Sequence, residues 1–384
     1  MAKLKNINGH FVESDYENAL IAFLEREGWQ YLYGDSIRRA NRKEVLNMDD
    51  LLQFLKDNNK NVKDEELQRI ADNVRLVGAD SDFATLHKVY KWMVNGVPAV
   101  DKDGRPTTVN LIDFSCVDNP EAKNTNFFRV VNQFTVEYMN NGVVKNRRPD
   151  VLLYVNGIPI CVIELKNPAD VNATIEDAWE QINIRYWRDI PGLLHYCPLA
   201  CISDGVKTRL GTVRTPYEHF YAWRRVENGD KVSTMPFDEL ETMVRGVYRP
   251  ERFLEIFRDY VYFQDENFDS DEKEIVCRYP QFFATRLLRE SVIKSVKTKS
   301  GKGGTYFGAT GCGKTYTMAF LARQLSLRCT AEIGSPTILM IVDREDLQKQ
   351  GAKLFTKSTE FLGLGEVSVV PSRKKLREEL SLRD

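Results

Sequence analysis

The segment RRPDVLLYVNGIPICVIELK, residues 147–166, carries the clearest fold signal in the first half of the chain. Two apolar, β-branched segments flank Asn156-Gly157, a pair that is typical of a two-residue hairpin turn. Residues two apart on a strand share a face, so Glu164 and Lys166 point the same way. The predicted hairpin then brings Asp150 beside this pair.

Two carboxylates and a lysine at one end of a strand pair are groups that a metal-dependent nuclease needs. Asp150 and Glu164 can hold Mg²⁺ through oxygen ligands, and Lys166 can orient a water as a phosphodiester is attacked. Val162 and Ile163 directly precede Glu164, so this charged side chain lies at the end of a strand that is predicted to be buried. Burying a charged group without a partner is costly. The same residues, taken alone, are also typical of a solvated hairpin with surface charges.

Two helices can support this site. The pattern of residues 13–29 predicts a helix whose Glu17 is either a third carboxylate or a surface glutamate. Residues 174–189 predict a second helix that carries Gln181 and Tyr186. Its Arg185 and Arg188 either face a DNA backbone or form the polar face of an amphipathic helix.

Residues 308–315, GATGCGKT, fit the phosphate-loop pattern G-x-x-x-x-G-K-[ST]. Strands are predicted at residues 305–307 and 337–342, with helices from about residue 281 and after the loop. Lys314 reaches the β- and γ-phosphates of a nucleotide in this motif, and the Thr315 hydroxyl holds Mg²⁺. The loop's backbone N–H groups wrap the phosphates through Gly308, Gly311 and Gly313.

Gln281 lies upstream of the loop in Arg278-Tyr279-Pro280-Gln281. It either reads an adenine edge or belongs to the start of a helix. A glycine-rich turn with an incidental lysine is the alternative to a nucleotide site.

Composition bounds the class of protein. The 384 residues are 42% hydrophobic and 28% charged with a net charge of −1, which excludes a disordered chain and requires any nucleic-acid surface to be local. The opening residues are polar, and no apolar run reaches the roughly 20 residues of a membrane span. The seven cysteines are irregularly spaced, which favours a reduced cytoplasmic compartment. Buried thiols explain Cys197 and Cys201 better than a zinc site.

In this order and spacing, the motifs resemble the restriction (motor) subunit, HsdR, of type I restriction–modification enzymes. The resemblance covers essentially the whole chain. It rests on Tyr16-Glu17-Asn18, Asn132-Gln133-Phe134, Arg148-Pro149-Asp150, Glu164-Leu165-Lys166, Ile202-Ser203-Asp204-Gly205, Tyr279-Pro280-Gln281, the phosphate loop and Val342-Asp343-Arg344.

The resemblance implies an α/β protein: a PD-(D/E)xK restriction-endonuclease-like domain, a mixed sheet flanked by helices, followed by part of a RecA-like P-loop helicase domain of superfamily 2. The predicted boundaries are 1–262 for the endonuclease, 263–275 for an acidic linker and 276–384 for an incomplete motor domain. The family cleaves double-stranded DNA with Mg²⁺, pumps DNA with ATP, and works on methyltransferase and specificity subunits, the methyltransferase core using S-adenosylmethionine.

Catalytic roles carry over by position to Asp150, Glu164, Lys166 and, on the first helix, Glu17. The family often carries Gln-x-x-x-Tyr, and the wider spacing of Gln181 and Tyr186 leaves their roles open. No second ATPase motif follows Lys314, so the resemblance implies an N-terminal fragment that cleaves DNA weakly, if at all, and cannot translocate. The alternatives are a helicase–nuclease of DNA repair or another defence system, and a non-catalytic scaffold for DNA or a partner.

Overall fold

A six-stranded mixed sheet carries the predicted hairpin at its centre. The computed structural model describes residues 13–79, 81–167, 174–232, 238–264, 272–342, 345–365 and 367–381. The sheet order is β1-β4-β7-β8-β9-β10, with β1 parallel to β4, β8 parallel to β9 and the other pairs antiparallel. The described strands are β1 Gln30–Tyr33, β2 Val97–Val100, β3 Pro106–Val109, β4 Phe128–Asn132, β5 Val136–Asn140, β6 Val143–Arg147, β7 Val151–Val155, β8 Ile158–Leu165, β9 Leu199–Ser203, β10 Thr208–Thr212, β11 Val261–Phe263 and β12 Glu274–Val276.

The β7–β8 hairpin is buried along its whole length, as expected of strands that are covered on both faces. Asn156 and Gly157 form its turn with φ values of 51° and 79°, the left-handed pair that a tight hairpin needs. A Cβ atom on Gly157 would lie 2.1 Å from the carbonyl oxygen of Asn47. Only glycine fits there, so the turn that the sequence predicts is confirmed.

Helices flank the sheet, so the predicted mixed sheet with flanking helices is confirmed. Helix α1 packs on β1, β4 and β8, and α6 packs on β8 and β9. The described helices are α1 Glu13–Arg26, α2 Met48–Asn58, α3 Asp64–Arg75, α4 Asp82–Asn95, α5 Ser115–Asp118, α6 Ile175–Glu180, a π-helical segment Gln181–Tyr186, α7 Trp187–Asp189, α8 Pro191–Leu194, α9 Asp238–Val247, α10 Pro250–Asp259, α11 Tyr279–Thr298, α12 Lys314–Leu327, α13 Thr330–Ile333, α14 Glu345–Thr356, α15 Thr359–Leu362 and α16 Arg373–Ser381.

Among the described residues, three two-stranded sheets lie outside the six-stranded sheet: β11 with β12, and two antiparallel ribbons. Strands β2 and β3 form one, and β5 and β6 form the other around the Asn140-Asn141-Gly142 turn. Strand β6 ends at Arg147, so the second ribbon leads directly into Asp150. The β5–β6 ribbon therefore lies close to the end of the β7–β8 hairpin, because the two are consecutive in the chain.

The chain divides into two compact units, residues 1–261 with 274–279 and residues 262–273 with 280–384. In the second unit the helices after residue 279 and after the glycine loop are confirmed, but the strands predicted at 305–307 and 337–342 are wrong. A strand forms only when its backbone groups bond to a neighbour, and no described strand pairs with these segments. Phe307 and Ile341 are accordingly 93% and 83% exposed.

The predicted acidic linker at 263–275 has structured ends, while residues 265–271 lie outside the described residues. Phe263 ends β11 and Glu274 begins β12, where Glu274 is buried rather than solvated. Within the described chain neither carboxylate oxygen of Glu274 has a hydrogen-bond partner. Burial raises the pKa of Glu274 well above its ordinary value, and the nearby Thr212 hydroxyl and Arg214 charge offset this only in part.

Replacing Glu274 by glutamine is expected to raise the melting temperature by about 2–6 °C at pH 8 and by less at pH 5. Because the folded chain holds this proton to a higher pH than the unfolded chain, its stability falls as the pH rises above the ordinary glutamate value. Thermal unfolding at both pH values measures the difference, with Glu218→Gln on the exposed surface as the control. An equal shift at both pH values would contradict the assignment.

No helix in the described ranges is long and apolar enough to cross a membrane. Cys197 and Cys201 are buried thiols, as the favoured interpretation of their spacing predicts. Across the same ranges, no set of three or more His, Cys, Asp or Glu side chains is grouped to share a metal ion.

Candidate active site

The end of the β7–β8 hairpin holds Asp150 and Glu164 face to face. Val151 pairs with Ile163 in the antiparallel register, so Asp150, one residue earlier, lies opposite Glu164. The backbone N–H of Leu165 donates to Asp150 Oδ2 at 2.7 Å, which fixes this carboxylate against the strand end. Glu164 is completely buried. The structure therefore brings together the two carboxylates that the sequence predicts to meet.

A hydrogen-bond network joins Glu164 and Lys166 to the following helix. Gln181 Nε2 donates to Glu164 Oε2 at 2.6 Å, and Lys166 Nζ donates to Gln181 Oε1 at 2.9 Å. The Tyr186 hydroxyl donates to Glu164 Oε1 at 2.6 Å and accepts a hydrogen bond from Gln181 at 2.9 Å. Both oxygens of Glu164 are thus held in place, and Lys166 is positioned through the amide of Gln181.

A π-helical segment explains how Gln181 and Tyr186 reach Glu164 despite their wide spacing. The segment spans Gln181–Tyr186 and is flanked by α-helical turns on both sides. A π turn accommodates one extra residue and aligns residues five apart, where an α-helix aligns residues four apart. The spacing that leaves these two roles open in the sequence is therefore compatible with a contact of both side chains to Glu164.

The two facing carboxylates make it costly for both acids to be charged without a counter-charge. Burial, followed by the charge of Asp150, raises the pKa of Glu164 well above its usual range, while Lys166 and the Tyr186 hydroxyl lower it in part. An acid pair of hard oxygen donors fits Mg²⁺, which is commonly held by one or two carboxylates together with waters and substrate phosphate. The donor set at Asp150 and Glu164 therefore fits the metal that the sequence predicts.

Glu17 lies on α1 at the same sheet but is bound elsewhere. Asn132 Nδ2 donates to Glu17 Oε1 at 2.5 Å, and Gln133 Nε2 donates to the same oxygen at 3.3 Å. Asn132 pairs with Val151, so its side chain is on the sheet face opposite to that of Glu164. The structure does not group Glu17 with Asp150 and Glu164 as a third carboxylate of one described metal cluster.

The sequence reasoning from chemistry missed Asn132 and Gln133, the residues that hold Glu17. Gln133 has a φ of 52°, a left-handed conformation that costs a non-glycine residue about 1–2 kcal/mol. Strain of this kind is concentrated at functional sites. The only signal in the sequence was the phrase Asn132-Gln133-Phe134, which marks the resemblance without assigning a contact.

The predicted DNA-facing arginines are ion-paired within the first unit. Arg185 pairs with Glu180 at 3.3 Å, and Arg188 pairs with Asp189 at 2.8 Å. Their charges are therefore partly neutralised by neighbours on the same helical stretch. Asp189 also pairs with Arg147, at the end of β6.

The second unit contains the phosphate loop as a folded glycine turn before α12. Gly311 and Gly313 have φ values of 80° and 81°, and the helix begins at Lys314 without a side-chain cap. A helix N-terminus that directly follows a glycine turn is the arrangement that binds phosphate. Lys314 Nζ donates to the carbonyl oxygens of Gly308 and Ala309 at 2.8 and 2.9 Å. Thr315 follows in the first turn, half-buried.

Gln281 supports the loop rather than projecting away from it. Its Nε2 donates to the carbonyl oxygen of Gly313 at 3.0 Å, and a Cβ on Gly313 would lie 2.5 Å from that nitrogen. The predicted contact of Gln281 with an adenine edge stays a prediction. The contact with the loop backbone is tertiary, since α11 and the loop meet only in the folded unit.

Comparison with known proteins identifies relatives of both halves. The family model of the type I restriction enzyme R protein N terminus matches residues 10–219, and that of the SWI2/SNF2 ATPase matches residues 280–384. The chain is 28% identical over 376 residues to a Methanocaldococcus jannaschii protein assigned by name to the endonuclease subunit of a type I restriction enzyme, MjaIXP. That match covers 90% of this chain and 34% of the relative.

Two bacterial relatives carry similar names. The HindI type I restriction enzyme endonuclease subunit of Haemophilus influenzae is 27% identical over 366 residues, 91% of this chain and 33% of the relative. The SauCOLORF180P endonuclease subunit of Staphylococcus aureus is 26% identical over 236 residues, 60% of this chain and 22% of the relative. The chain spans about a third of the length of the first two relatives.

Proposed function

Because the chain belongs to the family of the type I restriction enzyme R protein N terminus, we propose that its first unit is a PD-(D/E)xK endonuclease that cleaves double-stranded DNA with Mg²⁺. The observation that carries this proposal is the opposed pair Asp150 and Glu164, with Lys166 fixed beside it through Gln181. Three polar side chains are ordered around one buried carboxylate. A structural ion pair would not need this arrangement of two like charges.

The residues of the site have separate roles in this proposal. Asp150 and Glu164 hold the cation, which when bound supplies a Lewis acid for the phosphate and an activated water. Lys166 orients the attacking water and stabilises the negative charge that develops on the phosphate. Gln181 and Tyr186 position Glu164 and do not touch the substrate. Glu17, Asn132 and Gln133 form a neighbouring polar group that supports the same end of the sheet.

We propose that the second unit begins the RecA-like ATPase motor of the same enzyme. The match to the SWI2/SNF2 ATPase and the order of glycine turn, lysine and helix N-terminus support ATP binding at the loop. Lys314 would leave the carbonyls of Gly308 and Ala309 for the β- and γ-phosphates, and Thr315 would hold Mg²⁺. The ATP-driven translocation of DNA belongs to the whole enzyme.

The proposed partners follow from the family. A type I restriction–modification enzyme unites this subunit with methyltransferase and specificity subunits on DNA in the cytoplasm. Family membership favours this setting over DNA repair or another defence helicase–nuclease. The raised pKa of the buried Glu164 counts against a scaffold in which the carboxylates are purely structural, since such a pair destabilises the metal-free fold.

One calorimetric experiment with two titrants tests both sites. Mn²⁺ is titrated into the full chain with a short DNA duplex present, and Mg-ATP is titrated separately. Asp150→Ala is expected to lose the saturable Mn²⁺ site and keep ATP binding, whereas Lys314→Ala loses ATP binding and keeps the Mn²⁺ site. Each variant is the folding control for the other. Mn²⁺ binding that is unchanged in Asp150→Ala would contradict the nuclease site.

A further inference from the structure

The β5–β6 ribbon ends in an apolar tip that is left in solvent. Met139 lies opposite Val144, and Val143 follows the turn opposite Asn140. The exposed fraction is 54% for Met139, 58% for Val144 and 59% for Val143. Residues 143–146 are exposed on both faces of strand β6. A cluster of exposed apolar residues on a projecting ribbon indicates a binding surface.

Basic residues concentrate along the base of this ribbon. The loop 38–44 runs beside β5, because the N–H of Glu137 donates to the carbonyl oxygen of Arg42 at 3.0 Å and Arg39 donates to that of Thr135 at 2.9 Å. We define the ribbon surface as residues 38–44 and 136–148. Its acidic residues are Glu44 and Glu137, and its basic residues are Arg38, Arg39, Arg42, Lys43, Lys145, Arg147 and Arg148.

Most of this positive charge is not neutralised within the protein. Within the described ranges, no ion pair is made by the side chains of Arg38, Arg42, Lys43, Lys145 and Arg148, and all five are exposed. The chain as a whole has a net charge of −1, so this concentration is local. The arginines on the active-site helix are, by contrast, paired with acids. The ribbon surface is therefore an available site for a polyanion.

The ribbon is fixed beside the candidate active site by Arg147. Its guanidinium pairs with Asp189 and lies 5.8 Å from the ring centre of Tyr138. Hydrogen bonds from Arg188 and then Arg147 lower the pKa of Asp189 to about 2, so this anchor stays charged. Asp150 is only three positions after Arg147 in the chain, about 10 Å at full extension. A ligand on the ribbon surface is thus adjacent to the carboxylates.

We propose that the ribbon surface docks duplex DNA, with the basic residues on the phosphates and the Met139–Val144 tip in a groove beside the phosphate to be cleaved. The inference rests on the proposed nuclease function and names the surface that presents its substrate. A two-stranded ribbon fits a groove about 12 Å wide, and strands of this length reach about 17 Å. Apolar side chains on such ribbons contact the groove, while lysine and arginine supply the charge.

Binding of the full chain to a fluorescently labelled duplex, measured by anisotropy in EDTA at several salt concentrations, tests the proposal. The variant Arg42→Ala/Lys43→Ala/Lys145→Ala is expected to bind at least about ten-fold more weakly at 0.1 M salt. The slope of log Kd against log salt should fall by about 2–3, since each lost phosphate contact removes about 0.9.

A second variant tests the tip without changing charge. Met139→Thr/Val143→Thr/Val144→Thr keeps residues that favour strands and is expected to weaken binding about five-fold with an unchanged salt slope. The matched control Lys60→Ala/Lys63→Ala/Lys123→Ala removes three exposed charges at the other end of β7. This location follows from two contacts near the lysines: Thr125 contacts Asn58, and Asn126 contacts Asn156 in the turn after β7. The control is expected to bind like the wild type.

The outcomes separate this inference from the nuclease proposal. Ribbon variants that bind like the wild type, or a wild-type chain that does not bind duplex DNA at low salt, would overturn the docking surface. Weakened binding by the ribbon variants alone, together with no metal-dependent cleavage by the wild type, would support the surface and count against the nuclease. Loss of cleavage in Asp150→Ala, together with ribbon variants that bind DNA like the wild type, would support the nuclease and count against the docking surface.

Discussion

Replacing Asp150 by asparagine is expected to lower metal-dependent DNA cleavage by about 10³-fold and to raise the free energy of unfolding by about 1–2 kcal/mol. The asparagine oxygen can still accept the Leu165 N–H, and its amide can donate to Glu164. The substitution removes the like charge that, after burial, raises the pKa of Glu164. It therefore exchanges a cation site for a hydrogen bond.

The two effects are measured separately. Nicking of supercoiled plasmid by excess protein with Mn²⁺ gives the rate, and thermal unfolding in EDTA gives the stability. Asp49→Asn, an exposed aspartate outside the site, is the matched control and should change the cleavage rate by less than about two-fold. An Asp150→Asn chain that is less stable in EDTA would show that the carboxylate pair is structural rather than a metal site.

Lengthening the π-helical segment by one alanine after Ile184 is expected to lower cleavage by about 10²-fold, whereas deleting Ile184 leaves it within about three-fold. An extra residue rotates Tyr186 by about 100° about the helix axis and removes its hydroxyl from Glu164. Deletion converts the π turn to an α-helix and restores an alignment of residues four apart. Ile184 is half exposed, so its loss leaves the core intact.

The point variant Tyr186→Phe distinguishes positioning from folding. It keeps the buried ring and removes only the hydroxyl that donates to Glu164, so about a ten-fold loss of cleavage is expected in a chain that stays folded, with a melting temperature lowered by a few degrees at most. The Mn²⁺ dependence of the rate should shift to higher concentration in this variant. Deletion of Ile184 that abolishes cleavage in a folded chain would contradict the role of the π turn.

Local sequence chemistry was enough to predict the centre of the first unit. Apolar β-branched runs around Asn156-Gly157 specify a hairpin, because the turn accepts left-handed residues and the strand period is two. That period also predicts that Glu164 and Asp150 meet. The phosphate loop was equally readable, since glycine, lysine and threonine at fixed spacing are a local pattern. These features depend on neighbours within about twenty residues.

Other features depended on contacts between distant parts of the chain. Gln281 bonds to the phosphate-loop backbone. Glu17 bonds to Asn132, which pairs with Val151 rather than with Asp150, so the Asn132 side chain lies on the sheet face opposite to that of Glu164. Glu274 looked like part of a solvated acidic run, yet the structure buries it in a strand. Propensity describes a residue's own backbone, whereas burial and pairing are decided by what packs against it.

The amino-acid sequence was sufficient to predict the hairpin, its opposed carboxylates, the phosphate loop and the resemblance to the restriction subunit, because each depends on residues at short spacing. Contacts in three dimensions were needed to show that a π turn brings Gln181 and Tyr186 together at Glu164. Such contacts alone revealed the basic ribbon surface, since residues 38–44 and 136–148 are remote in sequence and meet through the pairing beside β5. Strand pairing and side-chain hydrogen bonds form only when the folded chain brings the bonding groups together.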